Sequence, residues 1–120
     1  MPRILLADDH PIVRRYLRAA LEEKGWEVCA EAGTGREAID MVAGHRPDVV
    51  VLDLSMPELD GLGAAREIHE KFPQIEMLVL TMHDVPELTF EAISLGVRAC
   101  IVKTNVQKLL DAVEELCKRS

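Results

Sequence analysis

Acidic, hydroxyl and amino side chains directly follow four short apolar runs in this chain of 120 residues. Asp8 and Asp9 follow residues 4–7, Asp53 follows 49–52, Thr81 follows 77–80, and Lys103 follows 100–102. If these runs are strands of one parallel sheet, the polar residues meet at one edge, because the carboxyl ends of parallel strands share that edge. The edge would then hold three carboxylates, a hydroxyl and an ammonium group.

Three neighbouring carboxylates require protonation or a cation. Two carboxylates about 4 Å apart repel each other by roughly 4 kcal/mol at an effective dielectric constant of 20. Magnesium binds to one or two carboxylates together with waters and phosphate oxygens, whereas calcium would need more protein oxygens than this edge offers. The set therefore predicts Mg²⁺ as the cofactor.

The same edge suits the transfer of a phosphoryl group. Asp53 is ionised at neutral pH and can attack phosphorus without a general base, forming an aspartyl phosphate. Lys103 and Thr81 would each contact one oxygen of the transferred group. Taken singly, these residues are more often caps, partners of helix dipoles or solvated charges. Their joint placement at four strand ends favours the phosphoryl-transfer interpretation.

The segments between the apolar runs have the spacing of amphipathic helices. Pro11 and Gly25 bracket the first helix, and residues 26–32 are expected to form a short strand. Capping signals follow at Thr34 with Glu37, at Asp60 and at Thr104 with Gln107, and Pro86 opens the fourth helix. Five repeats of strand and helix predict an α/β fold, a doubly wound parallel (βα)5 sheet in three layers. We expect the flavodoxin-like strand order 2-1-3-4-5.

Composition narrows the class of protein. The net charge of −7 disfavours unassisted binding to nucleic acids or to anionic membranes. The sequence shows neither a signal peptide nor an apolar run long enough to span a membrane, so we expect a cytoplasmic protein. Its three cysteines lack metal-type spacing and are expected to be buried or partly buried thiols. Residues 1–120 are expected to form one domain.

The motif set resembles the receiver domain of two-component response regulators over essentially the whole chain. The resemblance is carried by Asp8-Asp9, by Asp53 with Met56-Pro57 and Asp60-Gly61, by Thr81 and by Lys103. Residues 31–38 and 78–84 look most like the NarL/FixJ subfamily, also called LuxR-type. This resemblance implies a phosphoacceptor signalling domain that catalyses its own phosphorylation and dephosphorylation and is not an enzyme with a separate substrate.

The resemblance also implies a role for each residue of the site. Asp53 would accept the phosphoryl group from a sensor histidine kinase. Asp9, Asp53 and the backbone carbonyl of Ser55 would bind Mg²⁺ directly, and Asp8 would act through water. Lys103 would pair with the phosphoryl group, and Thr81 would shift toward it as the switch hydroxyl.

Output would follow from dimerisation or from an effector. Members of this subfamily usually carry a helix-turn-helix domain that binds DNA and regulates transcription; no effector domain is expected within residues 1–120, so the chain is either part of a longer protein or acts alone. A homodimer could form through the first and fifth helices or through the fourth helix and fifth strand. Two alternatives stay open: a pseudo-receiver that binds partners without phosphorylation, and a Mg²⁺-dependent phosphatase acting on other molecules.

Three positions concern switching and tuning. Cys100 occupies the place, three residues before the lysine, where receivers usually carry Tyr, Phe or His, so we expect output to depend on the Thr81 loop and the fourth helix. Met82 replaces a residue that is commonly small, and we expect slow self-dephosphorylation or restricted access. His83 occupies a position that tunes hydrolysis in the family. The remaining histidines, His10, His45 and His69, lack ligand spacing and are assigned no role.

Overall fold

A computed structural model describes residues 2–118 and contains a five-stranded parallel sheet. The strands are β1 (Arg3–Ala7), β2 (Glu27–Ala32), β3 (Val49–Asp53), β4 (Glu76–Thr81) and β5 (Ala99–Val102). Their order is β2-β1-β3-β4-β5, which confirms the predicted flavodoxin-like topology. The central strand β3 is buried along its whole length, as expected for a strand covered on both faces.

Helices cover both faces of the sheet. They are α1 (Pro11–Glu23), α2 (Gly35–His45), α3 (Gly61–Lys71), α4 (Pro86–Ser94) and α5 (Val106–Lys118). Leu5 and Ala7 point into the core that contains buried residues of α2, α3 and α4. Ile4 and Leu6 point into the opposite core, which contains buried residues of α1 and α5. This alternation follows from the two-residue period of a strand.

The hydrogen bonds at the helix N-termini can be compared with the N-cap residues that the sequence predicts. Thr34 Oγ accepts a hydrogen bond from the backbone N–H of Glu37 at 3.0 Å, and Asp60 Oδ1 accepts one from Gly63 at 2.8 Å, so both predicted caps are confirmed. The cap predicted at Thr104 is wrong. Asn105 Oδ1 accepts the hydrogen bond from the N–H of Lys108 at 3.1 Å, because α5 begins one residue after it. Asparagine is also the more favourable N-cap residue.

Two further expectations concern secondary structure and cysteines. Strand β2 begins at Glu27, one residue later than the spacing predicts. All three cysteines have intermediate burial, in agreement with partly buried thiols. Within residues 2–118, none of the helices combines the length and the apolar character that a membrane crossing requires.

Candidate functional site

The carboxyl ends of β1, β3 and β5 bring two carboxylates and an ammonium group into contact. Lys103 Nζ lies 2.8 Å from Asp8 Oδ2 and 3.3 Å from Asp53 Oδ2. The exposed fractions of these side chains are 7% for Lys103, 0% for Asp8 and 4% for Asp53. The two ion pairs are therefore shielded from water, where charges interact more strongly than at the surface.

Asp9 adds a third carboxylate at the mouth of this pocket. Asp8, Asp9 and Asp53, together with His10, each offer one ligand atom, and these atoms all lie within 4.8 Å of one another. Asp8 Oδ2, Asp9 Oδ1 and Asp53 Oδ2 are buried; Lys103 Nζ contacts those of Asp8 and Asp53, and His10 Nδ1 contacts that of Asp9. Three carboxylates beside one ammonium group leave negative charge in a poorly hydrated place, which is costly, so this donor set fits a hard divalent cation.

Burial and neighbouring charges shift the pKa values of the pocket. Burial raises the pKa of Asp53, and the charge of Asp8 raises it further, although Lys103 opposes both effects. Burial alone would lower the pKa of Lys103, but its contacts with Asp8 and Asp53 reverse this and raise the pKa. Lys103 therefore carries a firmly held positive charge, whereas ionised Asp53 is disfavoured until a cation arrives.

The position of Asp53 depends on a close approach of α3 to the end of β3. A Cβ atom on Gly61 would lie 2.4 Å from the carbonyl oxygen of Asp53, so only glycine fits there. The N–H of Gly61 donates to the carbonyl of Leu54 at 3.0 Å, and Leu54 donates in turn to Leu80 of β4 at 2.8 Å. The backbone around Asp53 is thus fixed by β4 and by α3.

Thr81 ends β4, one residue beyond Leu80, the register partner of Asp53. Its hydroxyl donates to the carbonyl of His83 at 2.9 Å, so it is engaged with its own loop. The N–H of Lys103 donates to the carbonyl of Thr81 at 2.8 Å, which connects this loop to the lysine. Met82 and His83 are exposed, with 61% of the Met82 residue accessible to solvent.

Ser55 follows β3, and Cys100 lies within β5. The N–H of Ser55 donates to Asp53 Oδ1 at 3.4 Å, and Ser55 lines a cavity of about 540 Å³ together with Asp9 and Leu88. Cys100 is partly buried against the core under α4. Burial raises the pKa of its thiol, and a hydrogen bond with Thr89 of α4 opposes this effect. Cys100 therefore packs as a small partly buried side chain and touches α4.

Two residues beside the pocket were not identified from the sequence. His10, which was assigned no role, places Nδ1 2.9 Å from Asp9 Oδ1. Arg14 Nη1 donates to the backbone carbonyl of Asp8 at 2.6 Å, and its Nε donates to Glu31 of β2 at 2.8 Å. Arg14 lies one helical turn after His10, and this spacing could have indicated that its side chain reaches back to the carbonyl of Asp8. Its partner on β2 could not be found from spacing.

Comparisons with known proteins agree with this geometry. The family profile described as "Response regulator receiver domain" matches residues 4–114. The transcriptional regulatory protein PdtaR of Mycobacterium tuberculosis is 37% identical over 113 residues, which are 93% of this chain and 55% of that protein. The oxygen regulatory protein NreC of Staphylococcus epidermidis is 41% identical over 110 residues, which are 90% of this chain and 50% of that protein. The chain thus spans about half the length of these curated relatives.

A solved structure shows the same architecture. The two-component response regulator of the LuxR family from Aurantimonas sp. SI85-9A1 superposes with a TM-score of 0.93 at 34% identity. The match covers 98% of this chain and 86% of that chain. This solved structure belongs to the LuxR family, the subfamily that residues 31–38 and 78–84 resemble.

Proposed function

Because the chain belongs to the response regulator receiver domain family, we propose that Asp53 is its phosphoacceptor and that a sensor histidine kinase is the donor. Receiver domains are signalling domains rather than enzymes with a separate substrate. The relatives named above support the LuxR-type subfamily and a role in transcription regulation. We further propose that residues 1–120 form one receiver domain in the cytoplasm.

One observation carries this proposal: Asp53 is buried at the end of β3, and its carboxylate lies beside that of Asp8 and shares the ammonium group of Lys103. In the reaction, an oxygen of Asp53 bonds to phosphorus while the phosphorus–nitrogen bond of the kinase phosphohistidine breaks. Asp53 needs no general base because it attacks as the carboxylate. The Lys103 ammonium then pairs with an oxygen of the phosphoryl group.

Receiver domains bind Mg²⁺ at an acidic pocket, and the donor set of this pocket fits that ion. We propose that Asp9, Asp53 and the backbone carbonyl of Ser55 hold it directly and that Asp8 acts through water. Bound Mg²⁺ supplies positive charge that offsets the repulsion among the carboxylates and the incoming phosphate. Arg14 supports the arrangement because it fixes the backbone of Asp8 against β2.

Phosphorylation would be transmitted through Thr81. Its hydroxyl must break its hydrogen bond to the carbonyl of His83 to reach the phosphoryl group. The loss of that bond would change the conformation of the loop that leads into α4. With Cys100 in the place of the usual aromatic residue, the signal is expected to pass through this loop and α4. Met82 and His83, which are exposed on the loop, would tune the lifetime of the phosphorylated state.

Receiver domains interact with histidine kinases and often dimerise. Two exposed apolar surfaces suit such partners: Ile12 and Tyr16 on α1, and Phe90 and Ile93 on α4. The apolar residues of α5 suit them less. Leu109, Val113 and Leu116 of α5, one of the helices through which a homodimer could form, are buried in the core of the domain. We propose that output passes through dimerisation or through an effector domain that binds DNA.

The test is incubation with acetyl phosphate and Mg²⁺, followed by intact mass spectrometry. The wild type should gain one phosphoryl group, and Asp53→Asn should gain none. Asp40→Asn makes the same charge change at an exposed residue of α2 and should be phosphorylated normally. Omission of Mg²⁺ in the presence of EDTA should abolish the reaction.

Two outcomes would contradict the proposal. Wild-type protein that folds and binds Mg²⁺ but gains no phosphoryl group would instead be a phosphorylation-independent binding module. Repeated turnover of an external phosphoester by wild type and Asp53→Asn alike would indicate a phosphatase.

A further inference from the structure

His10 stands at the junction of β1 and α1, beside two carboxylates of the pocket. Its ring atom Nδ1 lies 2.9 Å from Asp9 Oδ1 and 3.3 Å from Asp8 Oδ1. The local backbone sets this position, because the N–H of His10 donates to Asp8 Oδ1 at 2.9 Å and Pro11 begins α1 immediately afterwards. The imidazole is 63% exposed, so its approach to a bound ion requires no rearrangement of the core.

The charges of the pocket call for a divalent ion. Asp8, Asp9 and Asp53 carry three negative charges when ionised, and Lys103 pairs with Asp8 and Asp53. One positive charge against three leaves two negative charges to be neutralised. Asp8 and Asp53 are 0% and 3% exposed, and their Oδ2 atoms share the single ammonium group of Lys103, so buried negative charge is in excess. These buried oxygens point to a cation independently of the histidine.

Imidazole changes which ion the pocket prefers. Magnesium favours oxygen ligands and keeps several waters. Nitrogen from histidine suits borderline transition metals, whose affinity for a mixed oxygen and nitrogen site rises from Mn²⁺ through Co²⁺ to Ni²⁺ and Cu²⁺. Ligand atoms within 4.8 Å of one another can close on a single ion with small rotations of the side chains.

We propose that His10 Nδ1 is a fourth protein ligand and makes the acidic pocket a mixed-ligand site that takes Co²⁺, Zn²⁺ or Mn²⁺ more tightly than Mg²⁺. The proposal rests on the proposed function in that it concerns the same pocket. It adds a residue and an ion preference. His10 binds through its unprotonated Nδ1 and gives up its contact with Asp9 to do so. Lys103 keeps its place, because it approaches Asp8 through Oδ2 and His10 approaches through Oδ1.

The experiment is calorimetric titration of the wild-type chain with CoCl₂ and, separately, with MgCl₂, in the absence of a phosphodonor. His10→Ala should weaken the Co²⁺ dissociation constant by at least about tenfold, since loss of a supporting outer-shell partner already costs 10- to 100-fold. The Mg²⁺ dissociation constant should change by less than about twofold, because magnesium prefers oxygen ligands. His45→Ala removes an exposed histidine at the end of α2 and should change neither value.

A second measurement observes the ring itself. In long-range proton–nitrogen spectra with Zn²⁺, the Nδ1 signal of His10 should move to a coordinated position with the proton fixed on Nε2, while His45 stays unchanged. Equal Co²⁺ affinity in wild type and His10→Ala would overturn the proposal. An equal loss of Co²⁺ and Mg²⁺ affinity would also overturn it, because His10 would then only order the loop.

The two proposals can fail separately. Phosphorylation of His10→Ala by acetyl phosphate with Mg²⁺, together with unchanged Co²⁺ affinity, would leave the phosphoacceptor role standing and remove the histidine ligand. The opposite result is Co²⁺ binding that depends on His10 in a chain whose Asp53 takes up no phosphoryl group. It would leave the histidine ligand standing and remove the phosphoacceptor role.

Discussion

Replacing Asp53 with asparagine should stabilise the protein when divalent cations are absent. The substitution keeps the size and shape of a buried side chain and removes its charge. In the wild type, burial and the charge of Asp8 raise the pKa of Asp53, which means that the folded state disfavours its ionised form. The asparagine amide avoids this cost and can donate a hydrogen bond to Asp8. We therefore expect the free energy of unfolding of Asp53→Asn to exceed that of the wild type at neutral pH.

The magnitude is the difference between opposing contributions. At 4.8 Å, the outer limit of the separation between their ligand atoms, Asp8 and Asp53 repel by about 3.5 kcal/mol at an effective dielectric constant of 20. The attraction of Asp53 to Lys103 at 3.3 Å is about 5 kcal/mol on the same scale. Removing the ionised Asp53 carboxylate from water costs several kcal/mol more. The raised pKa of Asp53 agrees in direction with costs that exceed the attraction, and we expect a net gain of about 1 to 2 kcal/mol, the range of an ordinary single substitution. For a chain of this length, each kcal/mol raises Tm by roughly 4 °C.

The raised pKa of Asp53 also determines how the stability of the wild type changes with pH. The unfolded chain loses the Asp53 proton near the ordinary pKa of 3.8, and the folded chain loses it at higher pH. Between these two values the folded state binds more protons, so the wild type loses stability as pH rises. The advantage of Asp53→Asn should therefore be absent below pH 3.8, grow through this window, and reach its full value above the pKa of the folded state.

The assay is urea and thermal unfolding followed by circular dichroism in EDTA, from pH 3.5 to pH 7.5. Asp40→Asn, the exposed control, should remain within about 0.5 kcal/mol of the wild type. Added Mg²⁺ at 100 times its dissociation constant should stabilise the wild type by about 2.7 kcal/mol and Asp53→Asn by less. If Asp53→Asn in EDTA at pH 7 were no more stable than the wild type, the electrostatic reasoning about this pocket would be refuted.

Three further predictions follow from the same contacts. Gly61→Ala should cost about 1 to 3 kcal/mol in urea unfolding, because its Cβ would lie 2.4 Å from the Asp53 carbonyl; Gly44→Ala, where nothing lies within 4 Å, should be neutral or stabilising. Burial would raise the pKa of Glu31, but hydrogen bonds from Arg18 and Arg14 lower it overall. The stability that Glu31 contributes is therefore present above its unfolded pKa of 4.5 and lost as pH falls through its folded pKa, so the deficit of Glu31→Gln in unfolding experiments should shrink in acid. Met82→Ala should shorten the lifetime of the phosphorylated protein measured by intact mass, and an unchanged decay rate would contradict the proposed obstruction.

The fold could be predicted from the sequence because its determinants are local. Four apolar runs, helical spacing between them and caps such as Thr34 and Asp60 fix the order of strands and helices. Parallel topology then places the residues at the carboxyl ends of β1, β3, β4 and β5 along one edge, whatever the conformation of the loops. For this reason the approach of Lys103 to Asp8 and Asp53 could be expected before any distance was known.

Side-chain direction and burial were decided by the tertiary structure. His10 lies against Asp9 because of the backbone turn before Pro11, and ligand spacing in the sequence gives no sign of such a turn. Arg14 reaches Glu31 across 17 positions of the chain, because β2 lies beside β1 in the sheet. The Thr81 hydroxyl turns to His83 instead of the pocket because a loop carbonyl lies within hydrogen-bond distance. Sequence pattern determines which residues arrive at the edge, and packing between distant segments determines which atoms meet there.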